Sequence, residues 1–240
     1  MDLALAAAAA VVSMLFASEL GRDHRERPRH HVRLWRLGMA AYSAGSWALA
    51  LGLAFEWQGP IFRFFYFFGA IANIPFLAAG SVYLVAGEAW GRVAERVAFG
   101  LIGIGLIVTM ATSFIGPVSA SGVPDGSELF GWTFDFDGAT LPGPRVFAAV
   151  SGSVSSLVLV GLSLWSVVRS WRDRPAVARG NGLIIAGIVA PALGGTLTAL
   201  GESTSLALFL FFGALLLWAG YRIASTGSVR RAPAFAVSDR

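Results

Sequence analysis

A chain of 240 residues that is 56% apolar and 13% charged, with a mean hydropathy of +0.68, is too apolar for an ordinary soluble domain. Its net charge of +4 sets 18 arginines against 14 carboxylates, with no lysine and no cysteine. Those absences exclude a disulfide, a thiolate nucleophile, a P-loop lysine and any Schiff base, so covalently bound retinal is excluded as a cofactor.

A hydrocarbon core of about 30 Å needs about 20 apolar residues per helix, and seven runs meet that length. The first, about 3–20, follows Asp2 and precedes the arginines, the reverse of a secretory signal, and reads as a retained helix with its N-terminus outside. The stretch GRDHRERPRHHVRLWR is then an inner basic loop. A second helix is expected at about 37–55, with EWQGP turning outside, and a third at about 62–86, opening on the aromatic FRFFYFF. A short inner loop carrying Arg92 and Arg96 leads to a fourth at about 97–116.

The outer loop, about 119–144, holds Asp125, Glu128, Asp135 and Asp137. Within it, Trp132 to Leu141 reads as a small hairpin turning at Asp137-Gly138. The fifth helix, about 145–168, ends in the inner loop RSWRDRPAVARG; the sixth spans about 182–200, GESTS turns outside, and the seventh spans about 205–223. The fold class is therefore all-α: a polytopic seven-transmembrane-helix bundle over 1–226, N-terminus outside and C-terminus inside, with a cytoplasmic tail over 227–240.

Only Arg63 and Arg145 fall on the outer side, an inside bias that points to a plasma (inner) membrane and to anionic lipid headgroups at the inner loops as partners. The same clustering beside spans argues against nucleic acid. Trp35, Trp90, Trp165 and Trp171 fall near inner ends and Trp57 near an outer one, as interfacial anchors do; Trp47 falls mid-helix.

Small residues mark expected helix contacts: Gly38, Gly45 and Gly52 on the second helix, Gly100, Gly103 and Gly105 on the fourth, Ser151, Gly152, Ser155 and Ser156 on the fifth. Shifting 38–70 forward by 144 lays it on 182–214 without a gap and superposes Phe67-Phe68-Gly69-Ala70 on Phe211-Phe212-Gly213-Ala214. That suggests a 3+1+3 repeat, a plan some small-solute carriers use, although their Pro-Gln pair is absent.

No ionisable residue falls at mid-depth; Glu19, Glu56, Glu88, Glu202, Arg63 and Arg222 all lie near helix ends. This disfavours a proton pump or ion-coupled carrier. The polar residue expected deepest is Asn73, two positions before Pro75, which strands the carbonyl of Ile71. In GIVAPALGGTLT, Pro191 frees the carbonyl of Gly187, and Thr196 and Thr198 are placed to re-satisfy exposed backbone. Asn73, Trp47, Tyr66, Pro191 and Thr196 are the candidate ligand-binding residues, and Glu56, Arg63 and Glu202 a candidate outer bridge or gate.

No catalytic set emerges, and no metal site: His24, His30 and His31 all lie in one basic loop, and Asp135-Phe136-Asp137-Gly138 lacks the closing glutamate of a calcium loop. The expected function is binding or transport of a small neutral or lipidic molecule in the bundle. The alternatives are a non-catalytic subunit for a membrane protein partner and a lipid-modifying enzyme built on Glu19, Glu88 and the arginine loops.

Overall fold

The computed structural model describes residues 1–118, 122–199 and 205–229. In chain order it contains α1 (Asp2–Glu26), α2 (His30–Phe55), α3 (Gly59–Tyr66), a π-helical turn (Phe67–Ala72), α4 (Asn73–Ala111), α5 (Gly126–Leu129), β1 (Thr133–Phe136), β2 (Ala139–Pro142), α6 (Pro144–Ser170), α7 (Pro175–Ala199) and α8 (Ser205–Val229). Six helices are long and apolar enough to cross a membrane, the run Gly59–Ala111 being taken as one of 53 residues. The end of the bundle rich in arginine is called the basic end below, the opposite one the hairpin end.

The helices overrun the expected bounds. α1 continues to Glu26 and α2 begins at His30, so the basic loop shrinks to 27–29. Hydropathy marks where lipid stops, whereas helical hydrogen bonding continues through good helix formers such as arginine and glutamate. The stop is set at Pro28, which lacks an N–H and pushes its predecessor out of the α region; Arg27 is extended at φ −141°, ψ 92°.

The third and fourth expected spans are joined without a loop. α4 is interrupted at one residue, Gly87, whose φ of 84° and ψ of −177° are not helical. There the chain doubles back. Tyr83 Oη donates to Glu95 Oε2 at 2.6 Å, Phe76 packs edge-on against Phe99 at 5.2 Å, Ile71 lies under Gly105, and Arg63 reaches the carbonyl of Thr109. These pairings step outward from Gly87 in opposite directions, so the two arms of α4 are antiparallel neighbours.

Upstream, Pro75 denies the Ile71 carbonyl its usual donor, and the chain widens into the π turn Phe67–Ala72 just before it. The matching Phe211-Phe212-Gly213-Ala214 has no proline at the equivalent place and stays α-helical within α8.

Asp137 and Gly138 both have positive φ, 50° and 78°, and Phe136 pairs with Ala139. This is the two-residue primed turn expected of Asp-Gly, and it closes the β1–β2 hairpin.

At the basic end α1 is clasped to α8. Glu19 accepts from Trp218 Nε1 at 2.8 Å and from Arg222 Nε and Nη2 at 3.0 and 2.9 Å, and Tyr221 Oη donates to Asp23 at 2.9 Å. Phe16 stacks on Trp218 beneath them. The Trp218 bond, to an ionised acceptor whose side chain is 15% exposed, is worth about 1.5–3 kcal/mol. Arg222 is 62% exposed, and solvent screens its share. Thermal unfolding in mild detergent should therefore show a larger loss for Glu19→Leu than for Arg222→Ala. Glu88→Ala, which breaks the open Arg92–Glu88 pair, should barely register.

Candidate binding cavity

A cavity of about 570 Å³ lies inside the bundle, walled by α2, the α3–α4 run, α6, α7 and α8, with the loop 123–126 across its hairpin end. Glycines make the room. Gly45 meets Gly69 so closely that a Cβ on Gly45 would stand 3.0 Å from the Gly69 nitrogen, while Gly152 and Gly195 face open space. The volume lies within the range of small-molecule sites, about 300–1,000 Å³.

The polar lining is sparse. Tyr42 donates to the Leu210 carbonyl at 2.8 Å and braces α2 against α8. Ser153 and Thr198 turn back onto the carbonyls of Ala149 and Gly194. Asp125, at the closing end, caps α5 by accepting from the Ser127 nitrogen at 3.0 Å and its hydroxyl at 2.6 Å. Three groups are left over, among them the hydroxyl of half-buried Ser156, which has no partner among the described residues. Asn73 Oδ1 accepts from the Ile74 nitrogen at 2.6 Å, while its Nδ2 has no partner among the described residues. Ser46 is 1% exposed, and its hydroxyl has no partner among the described residues.

Of the candidate residues, Asn73 and Pro191 line this cavity. Among the described residues Asn73 bonds neither the freed carbonyl nor a neighbouring helix; its oxygen takes up its own successor's N–H. Trp47 does not reach the cavity. It is 40% exposed on the outer side of α2, because Gly45 and Ser46 already occupy the inward positions. Thr196 is exposed and bonds the Ala192 carbonyl at 2.9 Å; Thr198 takes the lining position instead. Tyr66 is buried but lies behind the wall, packed on Gly126 and 4.9 Å from the Phe130 ring, where it holds the closing loop in place.

The Arg63–Glu56 arm of the expected outer bridge is not formed. Glu56 is exposed and Arg63 makes no ion pair with it; Glu202 lies outside the described residues. Arg63 instead donates to the carbonyls of Thr109 and Met110 and lies 4.3 Å from the centroid of Phe114. Those are last-turn carbonyls of α4, which carry partial negative charge and no intrahelical donor, and a guanidinium satisfies both deficits. The Phe130 ring lies 5.8 Å from the guanidinium, and it and Phe114 belong to an aromatic cluster with Phe62 and Tyr66. The small residues of the fourth expected span diverge likewise: Gly105 packs on Ile71, but Gly100 and Gly103 face open space.

Sequence reasoning missed Tyr42, Ser46 and Asp125. The first two could have been found as hydroxyls inside an apolar run beside Gly45; Asp125, remote in sequence, had no such signal.

A second recess of about 440 Å³ at the basic end is lined by His30, Arg33, Tyr83, Glu95 and arginines Arg92 and Arg96. Arg33 is paired with Glu95, and His30 stacks on Tyr83 at 5.3 Å. Among the described residues no group of three or more metal-ligating side chains occurs. No protein-family model and no curated protein matches the chain.

Proposed function

We propose that this chain crosses the plasma membrane seven times, with its N-terminus outside and its C-terminus inside, and binds or carries a small neutral or lipidic molecule in the central cavity. One observation carries the functional part: a walled cavity of about 570 Å³ whose lining includes the unpartnered amide nitrogen of Asn73. The seven-crossing part rests on Gly87, because 53 unbroken helical residues would extend about 80 Å, far beyond a hydrocarbon core of about 30 Å. Orientation rests on the arginines, and anionic headgroups are the expected partners of the recess bearing Arg92 and Arg96. A 3+1+3 plan belongs to the same reading. The close approaches Gly45–Gly69 and Gly187–Gly213 fall within two residues of the 144-residue register.

Native mass spectrometry of gently purified protein is the test. An adduct of roughly a few hundred daltons, typical of the ligands such pockets hold, is expected on the wild type. It should be lost in Asn73→Leu and in Gly152→Leu, which adds bulk at a lining position where a Cβ would have nothing within 4 Å. An adduct retained in both variants would refute the site.

A second reading, a subunit for another membrane protein, is favoured by Gly100 and Gly103, which offer α4 a small-residue face with nothing against it. A protein that co-purifies stoichiometrically, with no adduct in the cavity, would decide for it.

A further inference from the structure

We propose that the cavity selects an uncharged, largely apolar molecule carrying an acceptor oxygen of the carbonyl type, held by Ser46 and Asn73. This deepens the reading above and rests on it. The amide of Asn73 has a fixed sense: its oxygen is taken by the Ile74 N–H, so what it turns to the cavity is an NH₂ group, which only donates. Ser46 supplies a second donor, its hydroxyl. It sits on α2, is 1% exposed, and does not back-bond to its own helix as Ser13, Ser81 and Ser153 do. Because Gly45 abuts Gly69 on antiparallel helices, Ser46 and Asn73 lie five residues, about 7 Å, apart in depth, and each side chain leans toward its own helix's N-terminus and so toward the other. That spacing suits two donors converging on one region of a ligand.

Buried polar groups in folded proteins are paired almost without exception, so an orphan hydroxyl beside an orphan amide in an otherwise apolar chamber points to a ligand that pairs them. The other fully buried atoms without a partner among the described residues, on Trp35, Trp57 and Ser151, do not line the cavity, and Ser156, which does, is only half-buried. Charge is disfavoured by the rest of the lining. Asp125 is its one ionisable carboxylate among the described residues, stands at the closing end, and is engaged by Ser127. An anion finds no cation there, and the Asn73 NH₂ itself offers a ligand only donors.

The experiment measures binding of three probes of one shape to the full chain in nanodiscs: para-octylacetophenone, octylbenzene and para-octylbenzylamine. The ketone should bind about tenfold more tightly than the hydrocarbon, the factor one well-made hydrogen bond supplies, and its carbonyl stretch should move to lower frequency on binding. Ser46→Ala removes a hydroxyl that bonds none of the described residues, so the fold is unaffected. It should bring ketone affinity down toward that of octylbenzene and reverse part of the infrared shift, with Asn73→Leu reversing more. Equal affinity for ketone and hydrocarbon in the wild type overturns the donor assignment while leaving the cavity as a binding site. Tightest binding by the amine overturns neutrality and transfers the recognition to Asp125. Failure of all three probes to bind overturns the cavity reading itself.

Discussion

Gly220→Val should destabilise the bundle by about 3 kcal/mol, and even Gly220→Ala should be destabilising, against the helix-propensity gain of about 1 kcal/mol that alanine brings. The reason is the packing of α7 on α8. A Cβ on Gly220 would stand 2.6 Å from the Gly180 carbonyl oxygen and 3.0 Å from the Ile184 nitrogen. One on Gly180 would meet the Gly220 carbonyl at 2.6 Å and the Ala224 nitrogen at 2.7 Å. Backbone atoms cannot swing aside as a side-chain tip can, so the helices must separate, and contacts along the whole α7–α8 seam are lost together. Gly182, two residues from Gly180, has nothing within 4 Å and is the internal control: Gly182→Ala should be neutral or slightly stabilising. Denaturant titration of the three variants in mixed micelles reads the result. A stabilised Gly220→Ala would mean that the seam is looser than described.

The same pair of glycines shows what the sequence could and could not convey. The spans were legible because a hydrophobic run of bilayer length needs no knowledge of packing. The Asp137-Gly138 hairpin was legible because positive φ at two successive residues is local chemistry. The rotation of each helix was not. A helix apolar all round carries no phase in its hydropathy, so composition does not say which side meets a neighbour and which meets lipid.

That is why Gly38 and Gly182, aligned by the 144-residue shift, differ: Gly38 is crowded by Leu77 and the Asn73 carbonyl, and Gly182 is open. It is also why Trp47 and Thr196 were expected in the cavity and lie outside it, while Ser46 and Thr198, one and two residues away, line it. Asn73 and Pro191 survived because their signals are not directional. An amide in an apolar run and a proline in a helix are each costly enough to mark their neighbourhood whatever the phase. Arg63 illustrates the converse limit: its nearest carboxylate in sequence, Glu56, was the natural partner, but the last-turn carbonyls of α4 lie closer once the chain has doubled back.

That doubling back rests on one residue and leads to the second large effect. Gly87→Ala should cost about 1–3 kcal/mol, and Gly87→Val more. With φ 84° and ψ −177°, Gly87 occupies a region that is essentially closed to L-residues, yet nothing lies within 4 Å of where its Cβ would be. The cost is therefore conformational, with no clash to relieve by repacking. Two substitutions separate this from a general intolerance. Gly87→Asn should fail as alanine does, because asparagine's tolerance of positive φ is confined to the left-handed helical region at ψ near +50°. A D-alanine installed by semisynthesis should be accepted, since for it the same angles mirror an ordinary extended conformation.

The arms would not part silently in the L-variants. Tyr83 bonds Glu95 and Glu95 pairs with Arg33 of α2, so a displaced second arm strips a half-buried carboxylate of both partners. The first arm, freed from its mate, carries Asn73 away from α2. Unfolding midpoints and retention of the cavity adduct should accordingly fall together across Gly87→Ala, Gly87→Asn and Gly87→Val, and recover together in the D-alanine protein. Recovery of stability without recovery of the adduct would detach the binding site from the reversal that positions it.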